Sequence, residues 1–306
     1  MCIRDSLLYL FGCVGAGDWL AMLIVTVTQA ALLALTMWGI ACSFLKIATA
    51  TGSVKKVRFE HKAVRAQSTQ RALFGKELRR FTASPNYMLN CGLGILMLTA
   101  AGIALIIKGG ALGQTLADVF SGNVGVVPVL MCAAVCLLAS MNDMAAPSVS
   151  LEGKSLWLAQ SLPVVPWQVL RAKLDVQLVL TGVPVLFCAL CMVITLPGSA
   201  LEKVLLVVVA LLYTLLSALA ALALGLKMPN LTWTNETTPI KQSGCVMLSL
   251  FANWFYAIAL GGLYFLCGNV LSTAAYLAIF AVVTAAGSAL LLRWVKKQGA
   301  RIFAAL

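Results

Sequence analysis

Side chains able to do chemistry are few in this sequence and stand apart from one another. Cys188 and Cys191 form a Cys-x-x-Cys, the spacing of a redox dithiol or of half a zinc site. They lie in the middle of an apolar run with no second pair and no histidine or carboxylate beside them, so they read as reduced core residues. His61, the one histidine, sits in a basic segment without a second ligand or a nucleophile and reads as a solvated side chain. Gly153-Lys154-Ser155 has the ending of a phosphate-binding loop, but position 148 is Ser where the first glycine belongs and no strand precedes it. Asn230-Leu231-Thr232 and Asn235-Glu236-Thr237 match glycosylation acceptors, and they read as ordinary loop residues because the topology derived below puts them in the cytoplasm. These patterns assign no residue to catalysis, to a cofactor or to a metal.

The elements that carry these residues are set by solvent. With 61% hydrophobic and only 10% charged residues, the chain lies far outside the balance of a water-soluble domain. No charge occurs in 19–45, 81–107, 119–142, 176–201 or 204–226, gaps of 23 to 27 residues. A hydrocarbon core about 30 Å thick takes roughly 20 apolar helical residues, so each gap holds one span. The last gap, 242–292, is twice as long and is interrupted at Gly268-Asn269, which suits a tight turn and makes it a helical hairpin. Runs such as 204–212 would also suit a buried strand by pattern, but a segment in lipid must satisfy its backbone internally, which favours helix. The expected fold is an all-α, polytopic membrane protein of about seven transmembrane helices.

Of the 22 Lys and Arg, 19 fall after the odd-numbered spans, ten of them between Lys46 and Arg80, and only Arg4, Lys108 and Lys203 fall on the opposite side. Positive loops stay in the cytoplasm, which puts the C-terminus inside and the N-terminus outside. Met1–Gly17 offers neither a full signal peptide nor a complete preceding span. The reading is that Met1–Ser6 is not a native start and that the chain is the C-terminal part of a longer protein; a short external tail is the alternative.

The net charge of +12 does not point to nucleic acid, because so much of it is concentrated beside one span, where anionic lipid is the neighbour. Within that stretch Gly75–Phe81 leads into Ser84-Pro85, and Lys76, Arg79 and Arg80 can share one side of a short helix with Leu78 and Phe81 elsewhere. This is expected to be an interfacial elbow before the second span, with a solvated charge run as the competing reading. The loop 148–174 is too apolar for a plain linker. Leu151, Leu158 and Leu162, with Trp157 beside them, can form a stripe on a short amphipathic helix opening with Ser150 and Glu152 and stopping before Pro163, and a second helix can start at Pro166. Such a helix suits the lipid interface or a groove on a cytoplasmic partner. The ten cysteines fall mostly in apolar spans and form no disulfide framework. The spans themselves are expected to hold no ionisable side chain, which disfavours a proton-driven carrier and an intramembrane hydrolase and moves the energy source to another protein.

Three segments resemble the ABC-2 type permeases, the membrane components of ATP-binding cassette exporters. They are Ser150-Leu-Glu-Gly-Lys-Ser-Leu-Trp157 with Ser161-Leu-Pro163 and Ala172-Lys-Leu174; Leu78-Arg-Arg-Phe-Thr-Ala-Ser-Pro85; and Pro229-Asn-Leu-Thr-Trp-Thr-Asn-Glu-Thr237 with Lys241-Gln242. The resemblance covers Lys76 to the end. It implies that residues 1–50 are an N-terminal fragment with the last helix of a preceding half, 51–85 a basic linker and elbow, and 86–306 a six-helix domain. It implies a permease subunit of an exporter, not itself an enzyme, with ATP hydrolysed on a separately encoded ATPase. The missing N-terminal half or a second permease copy would complete it, and anionic lipids would surround it. Ser150, Glu152, Gly153, Lys154, Trp157, Leu162 and Pro163 would then form the ATPase-coupling loop, and Lys76, Arg79, Arg80 and Phe81 the elbow. A membrane scaffold that transports nothing, or a secondary transporter using an uncharged site at a helix break such as Pro184, are the competing classes.

Overall fold

The computed structural model describes residues 7–49, 67–120, 125–196, 198–268 and 270–306, in two compact units that divide between Arg65 and Ala66. Met1–Ser6, His61, Asn269 and the basic residues Lys55, Lys56, Arg58, Lys62 and Arg65 lie outside the described residues. All regular structure among the described residues is helical. Among the described residues, seven segments are long and apolar enough to cross a membrane: Trp19–Phe44, Leu93–Ala111, Val126–Ser161, Pro166–Thr195, Ala200–Lys227, Thr237–Cys267 and Thr273–Ala305. The chain is a multi-pass, all-α membrane protein.

The first unit is a short helix α1 (Leu7–Gly15) followed by the long α2 (Trp19–Ala48). Asp18 caps α2 by accepting from the backbone N–H of Leu20 at 3.0 Å. The hydroxyls of Thr26, Thr28 and Thr36 donate back to carbonyls of the preceding turn, which removes their cost in an apolar solvent.

The second unit opens on α3 (Thr69–Ala83), which stops where Pro85 forbids its continuation; α4 (Pro85–Cys91) starts there with proline in its first turn and Ser84 accepting from the Tyr87 N–H. Then follow α5 (Leu93–Val119), α6 (Val126–Ser140), α7 (Ala145–Ser148), a tight 3₁₀ turn at Ser150–Ser155, and α8 (Leu156–Ser161). The long helices α9 (Pro166–Thr195) and α10 (Ala200–Lys227), the short α11 (Thr237–Lys241), and the hairpin of α12 (Gly244–Cys267) and α13 (Thr273–Trp294) complete the spans. A single π turn leads from α13 into α14 (Ala300–Ala305).

Antiparallel succession of the spans brings the starts of α5, α9 and α12 and the ends of α6, α10 and α13 to one end of the bundle, the end that carries α3 and α8. One core fills the middle, where Cys132, Cys136, Cys188, Met192, Val209 and Tyr213 are buried among α6, α9, α10 and α12. A second core lies at the α3 end, around Ala145, Val149, Leu170, Leu219, Leu222 and Phe303. There α10 approaches α7 so closely that a Cβ on Gly225 would collide with the Ala146 carbonyl oxygen.

Two sequence-based expectations change. The stripe of Leu151, Leu158 and Leu162 does not exist as one helix face: Gly153 takes φ +49° and breaks the helix, so Leu151 is buried while Leu158 and Leu162 are exposed. The spans are also not free of ionisable groups. Lys173 lies buried in the second turn of α9, and Glu152 and Asp143 are buried in the Val126–Ser161 segment.

Candidate functional site

The best-built polar site lies at the α3 end and centres on Glu152. The turn that presents it is shaped by local bonds: Ser148 donates its hydroxyl to the Ala145 carbonyl at 2.7 Å, and the Glu152 N–H reaches the Val149 carbonyl at 3.1 Å. Gly153 then reverses the chain in a left-handed conformation that glycine adopts without strain. The Trp233 ring lies 3.2 Å from where a Cβ on Gly153 would stand. Trp233 also donates its indole N–H to the Ser150 carbonyl at 2.6 Å, and the Asn230 N–H donates to the Ser150 hydroxyl at 3.0 Å. The loop 229–236 is therefore latched onto the turn.

Glu152 points inward into a cluster of two carboxylates and three cations. One oxygen, Oε1, accepts from Lys173 Nζ at 2.7 Å and from Lys76 Nζ at 3.3 Å, while Oε2 accepts from the Arg80 guanidinium at 2.7 Å. Lys173 also donates to the Ser148 carbonyl at 3.0 Å and pairs with Glu77 at 3.1 Å. Glu77 in turn pairs with Arg80 at 3.4 Å and Lys76 at 3.8 Å. The Lys173 and Glu152 side chains are 0% and 1% exposed, so each depends on the others for the solvation it gave up. Burial works against the charge of Arg80, but its hydrogen bond to Glu152 and the fields of Glu77 and Glu152 raise its pKa above the ordinary arginine value.

The cluster ties α3, the turn and α9 into one piece. The α3 to α4 corner is tied in turn to the 229–241 loop, since Ser84 donates to Glu236 at 3.0 Å and Asn86 to the Thr237 hydroxyl at 3.2 Å. A cleft of about 410 Å³ lies between them, bordered by Arg80, Ser84, Asn86 and Glu236. Next to the cluster, Gln177 braces the chain between α6 and α7, donating to the Asn142 carbonyl at 3.0 Å and accepting from the Ala145 N–H at 2.7 Å.

The residues singled out from sequence divide into two sets. Ser150, Glu152 and Gly153 face inward, whereas Lys154, Trp157, Leu162 and Pro163 are exposed. Trp157 and Leu158 on α8, and Leu162 and Val165 just after it, are all exposed large apolar side chains. On the elbow, Arg79 is exposed, but Phe81 is buried and Lys76 and Arg80 turn toward Glu152. The sequence-based expectation puts Lys76, Arg79 and Arg80 on one side of a short helix; in the structure Lys76 and Arg80 pair with Glu77 and Glu152 while Arg79 stays exposed. Glu77, Lys173 and Gln177 were missed by sequence reasoning; the available signal was one acid among the cations of Gly75–Phe81 and one lysine in the apolar segment leading into a span.

Elsewhere, Cys188 and Cys191 are free thiols buried in α9, which runs unbroken through Pro184. Among the described residues no three His, Cys, Asp or Glu side chains gather as metal ligands. No protein-family model, no curated protein and no solved structure matches this chain.

Proposed function

We propose that this chain is the permease subunit of an ABC-2 type ATP-binding cassette exporter in a bacterial cytoplasmic membrane, driven by ATP hydrolysis on a separate subunit. One observation carries the reading: the three segments behind the family resemblance, far apart in sequence, meet around buried Glu152, with exposed apolar side chains on α8 and just after it. A coupling element needs a face that a motor can push and a stiff link from that face to the spans. Trp157, Leu158 and Leu162 supply the face, and the Glu152–Lys173 pair supplies the link to α9. In this reading α3 is the interfacial elbow with Arg79 toward anionic headgroups, and a further permease half or a second copy completes the translocation path.

The test is co-expression with candidate ATPases. A purified complex should show ATPase activity that depends on this chain, while this chain alone turns over no ATP. Trp157→Asp changes an exposed residue, so insertion and melting should stay as in the parent. Loss of a tryptophan anchor costs about 2 kcal/mol, or some 30-fold in affinity, and stimulation of the ATPase should fall accordingly. Full stimulation by this variant would remove α8 from the coupling role.

The same reading puts the α3 end in the cytoplasm, the side favoured by 19 of the 22 Lys and Arg. Lys154→Cys places a thiol at an exposed position. It should resist a membrane-impermeant maleimide in intact cells and react once the cells are opened. Labelling in intact cells at a level above the parent chain would reverse the orientation.

A further inference from the structure

A second polar feature lies apart from the Glu152 cluster, where α6 gives way to α7. Helix α6 has only 15 residues, about 22 Å at 1.5 Å per residue, so the third span is completed by the chain that follows, and Asn142–Met144 crosses this depth without regular structure. Irregular backbone at membrane depth is tolerated where protein covers it, and the whole stretch Asn142–Gly153 is buried.

Gln177 and Tyr87 satisfy part of the backbone of this stretch, but the Asp143 and Asn142 side chains are left over. Asp143 is 5% exposed, and neither of its carboxyl oxygens has a hydrogen-bond partner; the same is true of both polar atoms of the Asn142 amide. The groups facing Asp143 are the Ser249 hydroxyl and Cys245 thiol on α12, the Ala146 N–H on α7, Tyr87 and Cys91 on α4, and Tyr213 on α10. All are neutral at neutral pH. The buried lysine of the neighbouring cluster is already paired with Glu152 and Glu77, and among the described residues no Lys or Arg forms an ion pair with Asp143. An ionised carboxylate without a partner in such a place costs far more than its neutral form, so the group exchanges its charge for a proton.

We propose that Asp143 is a proton-binding site: it is carried as a neutral carboxylic acid in the buried turn between α6 and α7, and it releases that proton when the turn opens to water. A proton fits better than a metal ion. A hard cation such as calcium gathers about six or more oxygens, whereas the Asn142 amide lies against Gly94 on α5 and the Asp143 carboxyl faces Ser249 on α12. Because closing the turn binds the proton, any movement that separates α6 and α7 from α12 is linked to proton release.

The experiment is infrared spectroscopy of the full chain in liposomes across a pH series. At neutral pH the wild type should show the carbonyl stretch of a protonated carboxylic acid. Asp143→Asn should lose that band and retain the fold, since an amide imitates the neutral acid. Ser249→Ala should keep the band at a shifted frequency, and this variant carries the test if Asp143→Asn fails to fold. Sodium or potassium chloride should leave the band in place. The proposal is overturned by wild type showing only ionised carboxylates at neutral pH, by a band unchanged in Asp143→Asn or unshifted in Ser249→Ala, or by displacement of the band by sodium, which would make the site a metal-cation site.

Discussion

Replacing Lys173 by Met is expected to destabilise the second unit by about 3–5 kcal/mol, the usual cost of removing one partner of a buried ion pair. The lysine is fully enclosed and meets Glu152 at 2.7 Å, Glu77 at 3.1 Å and the Ser148 carbonyl at 3.0 Å. Methionine offers no replacement charge, so two carboxylates would be left with only Lys76 and Arg80, both of which are partly exposed. Thermal unfolding in detergent, followed by protease sensitivity of the α3 segment, measures the loss. Adding Glu152→Gln to Lys173→Met removes one of the two stranded charges, leaving Glu77, and should restore part of the stability. A single variant that melts with the parent would mean that the cluster does not hold these three elements together.

The second large effect is expected at Gly225. A Cβ there meets the Ala146 carbonyl oxygen, which belongs to the backbone of α7 and cannot rotate away as a side chain would. Gly225→Ala must therefore push α10 and α7 apart, at about 1–3 kcal/mol for overpacking, and Gly225→Leu must cost more. Gly262, in α12, has nothing within 4 Å of a Cβ, so Gly262→Ala should melt at or above the parent. Equal melting of Gly225→Ala and Gly262→Ala would contradict the close approach of α10 to α7.

The spans were legible because lipid imposes a rule on composition: charge-free runs of the right length mark crossings, and Pro166 marks the start of α9. The inner face of the Ser150–Ser155 turn was not legible. Apolar spacing across Leu151, Leu158 and Leu162 assumes a continuous helix, and the left-handed Gly153 cancels the assumption. Lys76 and Arg80 looked like any juxtamembrane cations, since their carboxylate Glu152 stands 76 and 72 residues away and no local pattern reports a distant partner. Asp143 lies just past the charge-free run 119–142, where nothing in the local sequence marks it as buried. Only the fold shows that the chain there is covered on all sides.

The sequence separations within the Glu152 cluster also order its assembly. The Glu152–Lys173 contact closes a loop of 21 residues, whereas Arg80 and Lys76 reach Glu152 across 72 and 76. Closure entropy rises with the logarithm of loop length, roughly 0.6 kcal/mol per doubling, so the short loop has an advantage of about 1 kcal/mol over the long ones. During synthesis Lys76 and Arg80 emerge well before the carboxylate that receives them, and unpaired cations are expected to stay hydrated until Glu152 is in place. Helix α3 is then expected to be the last piece clipped on, and under gentle denaturation the first to come away while the spans remain packed.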